Sequence, residues 1–383
     1  MKKLIVLSVV FALVASTAAF AVDLGGVVIG GVNLFTGESG DGAKEDIVGG
    51  AIMKRIRIEG SGEAGEGKFG GYFRLNHEDE GEEVLGKLAG NAWWKPIDQL
   101  KIIVGSNGGD GFYGKEGVTG WMFYQAVSDA GTIVNPGNCW GGSYSGGGDD
   151  NIFFRNAFFG GDGGKNALRL EITPIDILGI NVVLPYYTGS NPWGGPSNSE
   201  KAEDIFKNAI AQLDLKLDFG NIALTYVGGE DGNIFVYYGG SFGDISIDFG
   251  FHYDMADGAP IGVGAGVKFA SDAFGLKFRV VATLGGDDKM TKLLADVMPF
   301  FSLGDNLTAF ISVGLAMVMN DDDTFTGWHF NPYLQIGEDW GAKFLIGVKV
   351  SNDAAGYREH ATDPWADEKV IKFSVPIALS VSF

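Results

Sequence analysis

From Ile371 to Phe383 the chain alternates without a break. Ile371, Phe373, Val375, Ile377, Leu379, Val381 and Phe383 are large and apolar, while Lys372, Ser374, Pro376, Ala378, Ser380 and Ser382 are small, polar or proline. Side chains on a strand point to opposite faces in turn, so this pattern predicts a strand with one apolar and one polar face. The same period recurs upstream. Ile245, Ile247, Phe249, Phe251, Tyr253 and Met255 share one phase; Leu307, Ala309, Ile311, Val313, Leu315 and Met317 share another. A further run holds Trp340, Ala342, Phe344, Ile346, Val348 and Val350 in phase, with Lys343 and Lys349 in the opposite phase. A soluble sandwich also uses such strands, so the rhythm of the whole chain has to decide.

Short turn signals alternate with longer, more polar connections from end to end. Short ones fall at Gly60–Gly67, Lys95–Gln99, Pro174–Leu178, Gly220–Asn221, Gly243–Asp244, Ser271–Ala273, Gly304–Asn306 and Glu338–Asp339. Longer ones lie between them, and the longest spans 108–164. The alternation predicts an all-β chain of about eighteen strands, or sixteen if one hairpin is misassigned, with both ends on the short-turn side. Such strands close into an antiparallel transmembrane β-barrel with apolar side chains toward lipid and charges toward the lumen. The closing pair is expected between Ile371–Phe383 and Leu24–Thr36, with an irregular rung at Pro376, which has no N–H to donate. Nearly all charges respect the pattern; Lys54 stands out as a candidate violation, tolerable only near an interface. Trp93, Trp94, Tyr186, Tyr187, Trp328 and Trp340 flank strand ends, as interfacial girdles require.

The first residues change the picture of compartment. Lys2 and Lys3 precede an apolar run from Leu4 to Val14, and Ala19-Phe20-Ala21 is a small-x-small cleavage site. Residues 1–21 thus read as a secretory signal peptide and 22–383 as one barrel domain. Cleavage takes two lysines away and makes the chain still more acidic than its formal −20. That balance argues against a nucleic-acid partner. The single cysteine, Cys139, leaves no internal disulfide framework. The 62 glycines follow no collagen period and suit turns and close strand approach.

The signal peptide, the strand–turn rhythm over residues 22–383 and the alternation ending on Phe383 resemble the Gram-negative outer-membrane porins. That resemblance implies a porin in the cell outer membrane, passing small hydrophilic solutes by passive diffusion, with no cofactor and no metal. It also implies that Phe373, Val375, Ile377, Leu379, Val381 and Phe383 form the signal read by the barrel-assembly machinery, that outer-membrane lipid surrounds the wall, and that a homotrimer is the common assembly. In porins the third external loop folds inward, and 108–164 is in that place. Its aromatics, among them Trp121, Tyr124 and Trp140, suit a packed loop, though an external cap is the other reading.

Alternation turns Arg55, Arg57, Arg74, Arg169, Lys277 and Arg279 inward. Acids on the long loop, Asp110, Glu116, Asp129, Asp149 and Asp150, would face this basic wall and make a transverse field that filters solutes by charge. Structural ion pairs are the competing account of the same cations. Two other functions are carried: a sugar-selective channel with an aromatic track at Tyr72, Tyr237, Tyr333, Trp121 and Trp140, and a non-conducting structural or adhesive surface protein. An enzyme is not expected, because His77, His252, His329 and His360 stand in no nucleophile motif. No zinc or EF-hand spacing appears either.

Overall fold

The computed structural model describes residues 22–38, 45–46, 49–77, 87–105, 167–185, 202–207, 209–229, 232–258, 261–285, 291–319, 324–337, 341–352 and 371–382. The signal-peptide region and the 108–164 loop, with its acids and aromatics, lie outside them. So do Phe383, Tyr186, Tyr187 and Trp340.

The strands are β1 (Val22–Glu38), the two-residue β2 (Glu45–Asp46), β3 (Gly49–Ala64), β4 (Phe69–His77), β5 (Lys87–Ile97), β6 (Leu100–Gly105), β7 (Ala167–Ile175), β8 (Leu178–Pro185), β9 (Ile210–Leu217) and β10 (Gly220–Val227). They continue with β11 (Asn233–Phe242), β12 (Ile245–Asp254), β13 (Ile261–Ala270), β14 (Phe274–Leu284), β15 (Thr291–Gly304), β16 (Leu307–Met319), β17 (Thr324–Gly337), β18 (Ala342–Gly347), β19 (Lys349–Asn352) and β20 (Ile371–Ser382). From β3 to β17 each pairs antiparallel with its sequence neighbour. β17 then pairs with β18 and β19, and both of these pair with β20. β1 pairs with β3 on one side and β20 on the other, which closes the sheet on itself. With β18 and β19 counted as one interrupted strand and β2 left as an appendage of β1, the described residues form a ring of eighteen strands. No sheet edge is left to be satisfied in lipid.

The two faces of the ring are the reverse of a soluble protein. Val104, Phe249 and Leu379 are about half exposed, on the outer face, together with Leu213, Leu224, Phe278 and Phe330. In the alternate phase, Arg74, Arg169, Gln212, Asp214, Lys277, Ser312 and Asn331 are all buried. Oil outside and polar groups inside is the arrangement a bilayer selects.

Three local features depart from ideal strands, each for a stated reason. β3 runs on to Ala64, and the first turn is the short Gly65–Lys68 rather than Gly60–Gly67. Gly65, Glu66 and Gly67 all have positive φ (61°, 57° and 76°), so two glycines carry most of the left-handed geometry and one non-glycine residue is held between them. Lys54 falls at a register shift: Ile29 pairs with Arg55, but Gly30 pairs with Met53. Lys54 is the extra residue of a bulge, which explains how a charge interrupts the apolar phase. The third feature is at the seam. Asn33 pairs with Pro376, and the β1 ladder then shifts by one before Thr36 meets Ser374.

On the other side of β20, the pairing with β18 ends at Ile346–Ile377 and resumes in β19 at Lys349–Ser374. The register sets Gly347 opposite Pro376. Val348 faces Pro332 of β17, to whose carbonyl its N–H donates at 2.9 Å. Neither proline can return a hydrogen bond, so two successive rungs are incomplete and the strand is interrupted at Val348. The irregularity anticipated at Pro376 is there, and Pro332 doubles it.

One helix was not anticipated. α1 (Ala202–Lys207) lies in the connection between β8 and β9 and packs against β8. Lys207 in its last turn complements the helix dipole.

Candidate channel lining

The inward face is built strand by strand from alternate residues, so register decides which side chains meet. Arg74 of β4 is directly opposite Glu59 of β3. Its Nε donates to Glu59 Oε2 at 2.9 Å, and a terminal guanidinium nitrogen lies 2.8 Å from the same oxygen. The Tyr72 hydroxyl donates to that oxygen at 3.1 Å, and the Tyr72 ring lies 5.6 Å from the guanidinium carbon. Arg74 is therefore locked in a cross-strand ion pair, and the sequence reading missed its counter-charge. Glu59 was legible in principle: it has the phase of Arg55 and Arg57, and the hairpin register brings it to Arg74. Tyr72 serves this same pair.

The other predicted cations are distributed around the ring. Arg55 and Arg57 occupy β3 opposite Ile29 and Val27, in the phase of Glu59. Arg169 of β7 is fully buried, opposite Ile103 and Val183. Lys277 of β14 is buried opposite Lys268 and Met298, with its Nζ 5.6 Å from the Phe300 ring centre. Arg279 pairs in register with Gly266 and Asp296. The structure thus joins Arg55, Arg57 and Arg74 on one hairpin and sets Arg169, Lys277 and Arg279 on other strands of the ring.

A second polar group was not anticipated. Asp214 of β9 accepts hydrogen bonds from Asn181 Nδ2 (2.9 Å) and Gln212 Nε2 (2.8 Å), and all three residues are buried. Beside them, Lys101 of β6 lies 3.7 Å from Glu171 of β7. Lys95 and Lys101 both stand over the Trp93 ring, at 5.0 and 4.9 Å from its centre. Trp93 lies flat on Gly70, where any Cβ would strike its ring. This corrects its assignment to an interfacial girdle: Trp93 has the inward phase. Its neighbour Trp94 has the outward phase and stacks with Phe69 beside a turn (centroids 6.4 Å apart).

The inward aromatics form a wall. Phe300, Phe310 and Tyr333 are directly opposite one another on β15, β16 and β17. Their rings stack at 5.6 and 4.7 Å, and Phe310 and Tyr333 are buried. Each end of the stack meets a glycine in register, Gly275 under Phe300 and Gly347 beside Tyr333. Phe235 and His252 stack likewise at 4.5 Å, and Tyr237 packs over Gly239. Only 8% of Tyr237 and 4% of Tyr333 is exposed, so these rings fill the wall and offer no open stacking track. A Cβ on Gly347 would sit 2.6 Å from Tyr333 Cβ and 2.7 Å from the Pro332 carbonyl, neither of which can swing aside. Gly347→Val is expected to lower unfolding stability in lipid vesicles by about 1–3 kcal/mol, read from the denaturant midpoint, whereas Gly347→Ala falls at the lower end.

At the short-turn ends of these strands, six of the described turns carry an exposed aspartate: Asp98, Asp176, Asp218, Asp244, Asp272 and Asp305. Among the described residues no group of His, Cys, Asp and Glu is arranged to hold a metal.

No protein-family model and no curated relative matches the sequence. Solved structures do. OpdQ of Pseudomonas aeruginosa is similar at a TM-score of 0.54 and 8% identity, with 94% of this chain and 98% of that one covered. The outer membrane protein OpdK of Pseudomonas aeruginosa is similar at 0.52 and 9%, over 94% and 98%. An anion-selective porin from Comamonas acidovorans is similar at 0.50 and 10%, over 94% and 99%. The likeness is one of fold, and it spans the whole barrel. The chain therefore has the porin-type outer-membrane β-barrel fold, closed around a polar inner wall.

Proposed function

We propose that the protein is an outer-membrane diffusion channel for small hydrophilic solutes. The observation that carries this reading is the closed ring of eighteen strands whose inner face holds Arg74, Arg169, Asp214 and Lys277. A ring of this size is too wide to be filled by wall side chains alone. Charged groups on its inner face are stable only with water or counter-charges beside them. The 108–164 connection narrows this lumen in the proposed arrangement, with Asp110, Glu116, Asp129, Asp149 and Asp150 toward the basic wall. No chemical step and no cofactor are involved, and the mature chain begins after Ala21. The wall-filling role of Tyr237 and Tyr333 favours a general pore over a sugar track.

Conductance of the purified protein in planar bilayers tests the reading directly. Insertion without current at any voltage would overturn it. In a salt gradient, replacing Arg55, Arg57 and Arg74 together by Ala is expected to shift the reversal potential toward cations. An unchanged potential would remove those residues from the selectivity wall.

A further inference from the structure

The last hairpin of the ring is built in two parts. Its base, nearer the short turn, pairs β18 with β20 over five rungs, from Ala342–Val381 to Ile346–Ile377. Its tip, at the long-connection end, pairs β19 with Ile371–Ser374 over four rungs, from Lys349–Ser374 to Asn352–Ile371. Between them the register places Gly347 opposite Pro376 and Val348 opposite Val375, and the ladder is interrupted at both. The base is also held at its sides, by five rungs to β17 and by the run Val27–Asn33 of β1. The tip has two rungs to β17, His329–Ser351 and Phe330–Val350, and three to β1, at Thr36, Gly37 and Glu38.

Every ladder around the junction of tip and base is weakened at this one level. Pro376 cannot donate to the Gly347 carbonyl opposite it, and Pro332 of β17 cannot donate to the carbonyl of Val348, from which it accepts. On β1 the register shifts between Asn33 and Thr36, so the ladder to β20 has a bulge where the hairpin has its break. The adjoining β16–β17 ladder runs through the same level without interruption, from Leu307–Ile336 to Met319–Thr324, with Ile311 opposite Pro332. The break in the hairpin therefore stops at β17. A block of ladder separated from the rest by missing rungs opens at its own, lower free energy, independently of the sheet beyond it.

We propose that the tip is a lateral flap: β19 and Ile371–Ser374 swing as one piece on Gly347–Val348 and Val375–Pro376, while the base of the hairpin keeps the barrel closed. The motion breaks only the two rungs to β17 and the three to β1, and none of the base. It parts the wall between those two strands and joins the lumen to the outer part of the bilayer there. The flap depends on the closed ring and not on solute passage, so it stands or falls separately from the channel reading.

Amide hydrogen exchange of the barrel in lipid vesicles tests the flap. In the wild type, residues 349–352 and 371–374 are expected to exchange at one common rate, faster than 342–346 and 377–382. Simple fraying would instead leave Lys349 and Ser374, nearest the base, the best protected residues of the tip, and that gradient would overturn the proposal. Pro332→Val/Pro376→Ser supplies both missing donors. It is expected to slow exchange throughout the tip about tenfold, the effect of two hydrogen bonds of ordinary net strength, with the base unchanged. An unaltered tip rate in this variant overturns the proposal. Should the variant fail to assemble, a strap decides. His329 and Ser351 are directly opposite, so His329→Cys/Ser351→Cys with Cys139→Ser sets one disulfide between β17 and the tip. Oxidised, it is expected to slow 371–374 as well as 349–352, and reduction restores the wild-type rate. Slowing confined to 349–352 would show that the tip does not move as one piece, and the flap would fall.

Discussion

Phe310→Ala is expected to cost about 3 kcal/mol of unfolding stability, near the lower limit for deleting a buried phenylalanine. Phe310 is the middle ring of the Phe300–Phe310–Tyr333 stack, and its removal leaves both neighbours without a partner face. The loss is held at the lower limit because the stack lines a lumen, so water can enter part of the gap. Phe310→Leu keeps most of the apolar volume and should cost about 1 kcal/mol. Equilibrium unfolding in lipid vesicles gives both values. The same variants separate two accounts of these rings. A stability loss with unchanged solute passage fits a wall; altered sugar passage at full stability would instead make the rings a solute track.

Glu59→Ala is the second large effect. It removes the carboxylate that receives Arg74 Nε, a terminal guanidinium nitrogen and the Tyr72 hydroxyl. Arg74 is 95% buried, and stripping one partner from a buried charge is far costlier than losing a surface pair. Glu59 itself is partly open to the lumen, so the expected cost is about 2 kcal/mol, below the range for a fully enclosed pair. Glu59→Gln retains an acceptor and should lose about half as much. Both substitutions also shift the reversal potential toward anions, since a negative charge leaves the wall. A change of less than about 0.5 kcal/mol, the ordinary range for surface substitutions, would show that the pair does not hold the hairpin.

Much of the barrel was legible because a membrane wall enforces period two with unusual strictness. A one-residue slip would turn every charge of a strand toward lipid, so the phase of Phe373, Val375, Ile377, Leu379 and Val381 was decisive. Pro376 could be read as a defect in the closure from its chemistry alone. Its full consequence could not, because Pro332 lies 44 positions away in the chain and reaches the same point only through the register of β17, β18 and β20. Lys54 looked like a violation for a similar reason: a bulge shows only against its partner strand. Trp93 was misassigned because a tryptophan near a strand end suits either face, and the Gly70 surface that receives it is on the next strand. Helix α1 was hidden in a connection read only by its polarity.

The candidate lining divides the same way. Phase alone identified Arg74, Arg169 and Lys277 as inward. It left open whether each cation serves the lumen or a partner, since that depends on what faces it across the ladder. Glu59 opposite Arg74 answers the question for one of them.

What the sequence by itself determined is the architecture: a closed antiparallel barrel, its approximate strand number, the face toward lipid and the placing of both chain ends with the short turns. These follow from local alternation and turn chemistry, which need no knowledge of distant residues. What only the tertiary structure decided is which inward side chains meet. The Arg74–Glu59 pair, the Asp214 network and the stacked Phe300–Phe310–Tyr333 wall all depend on register between strands. Hydrogen bonding between backbones fixes that register, and no single strand encodes it.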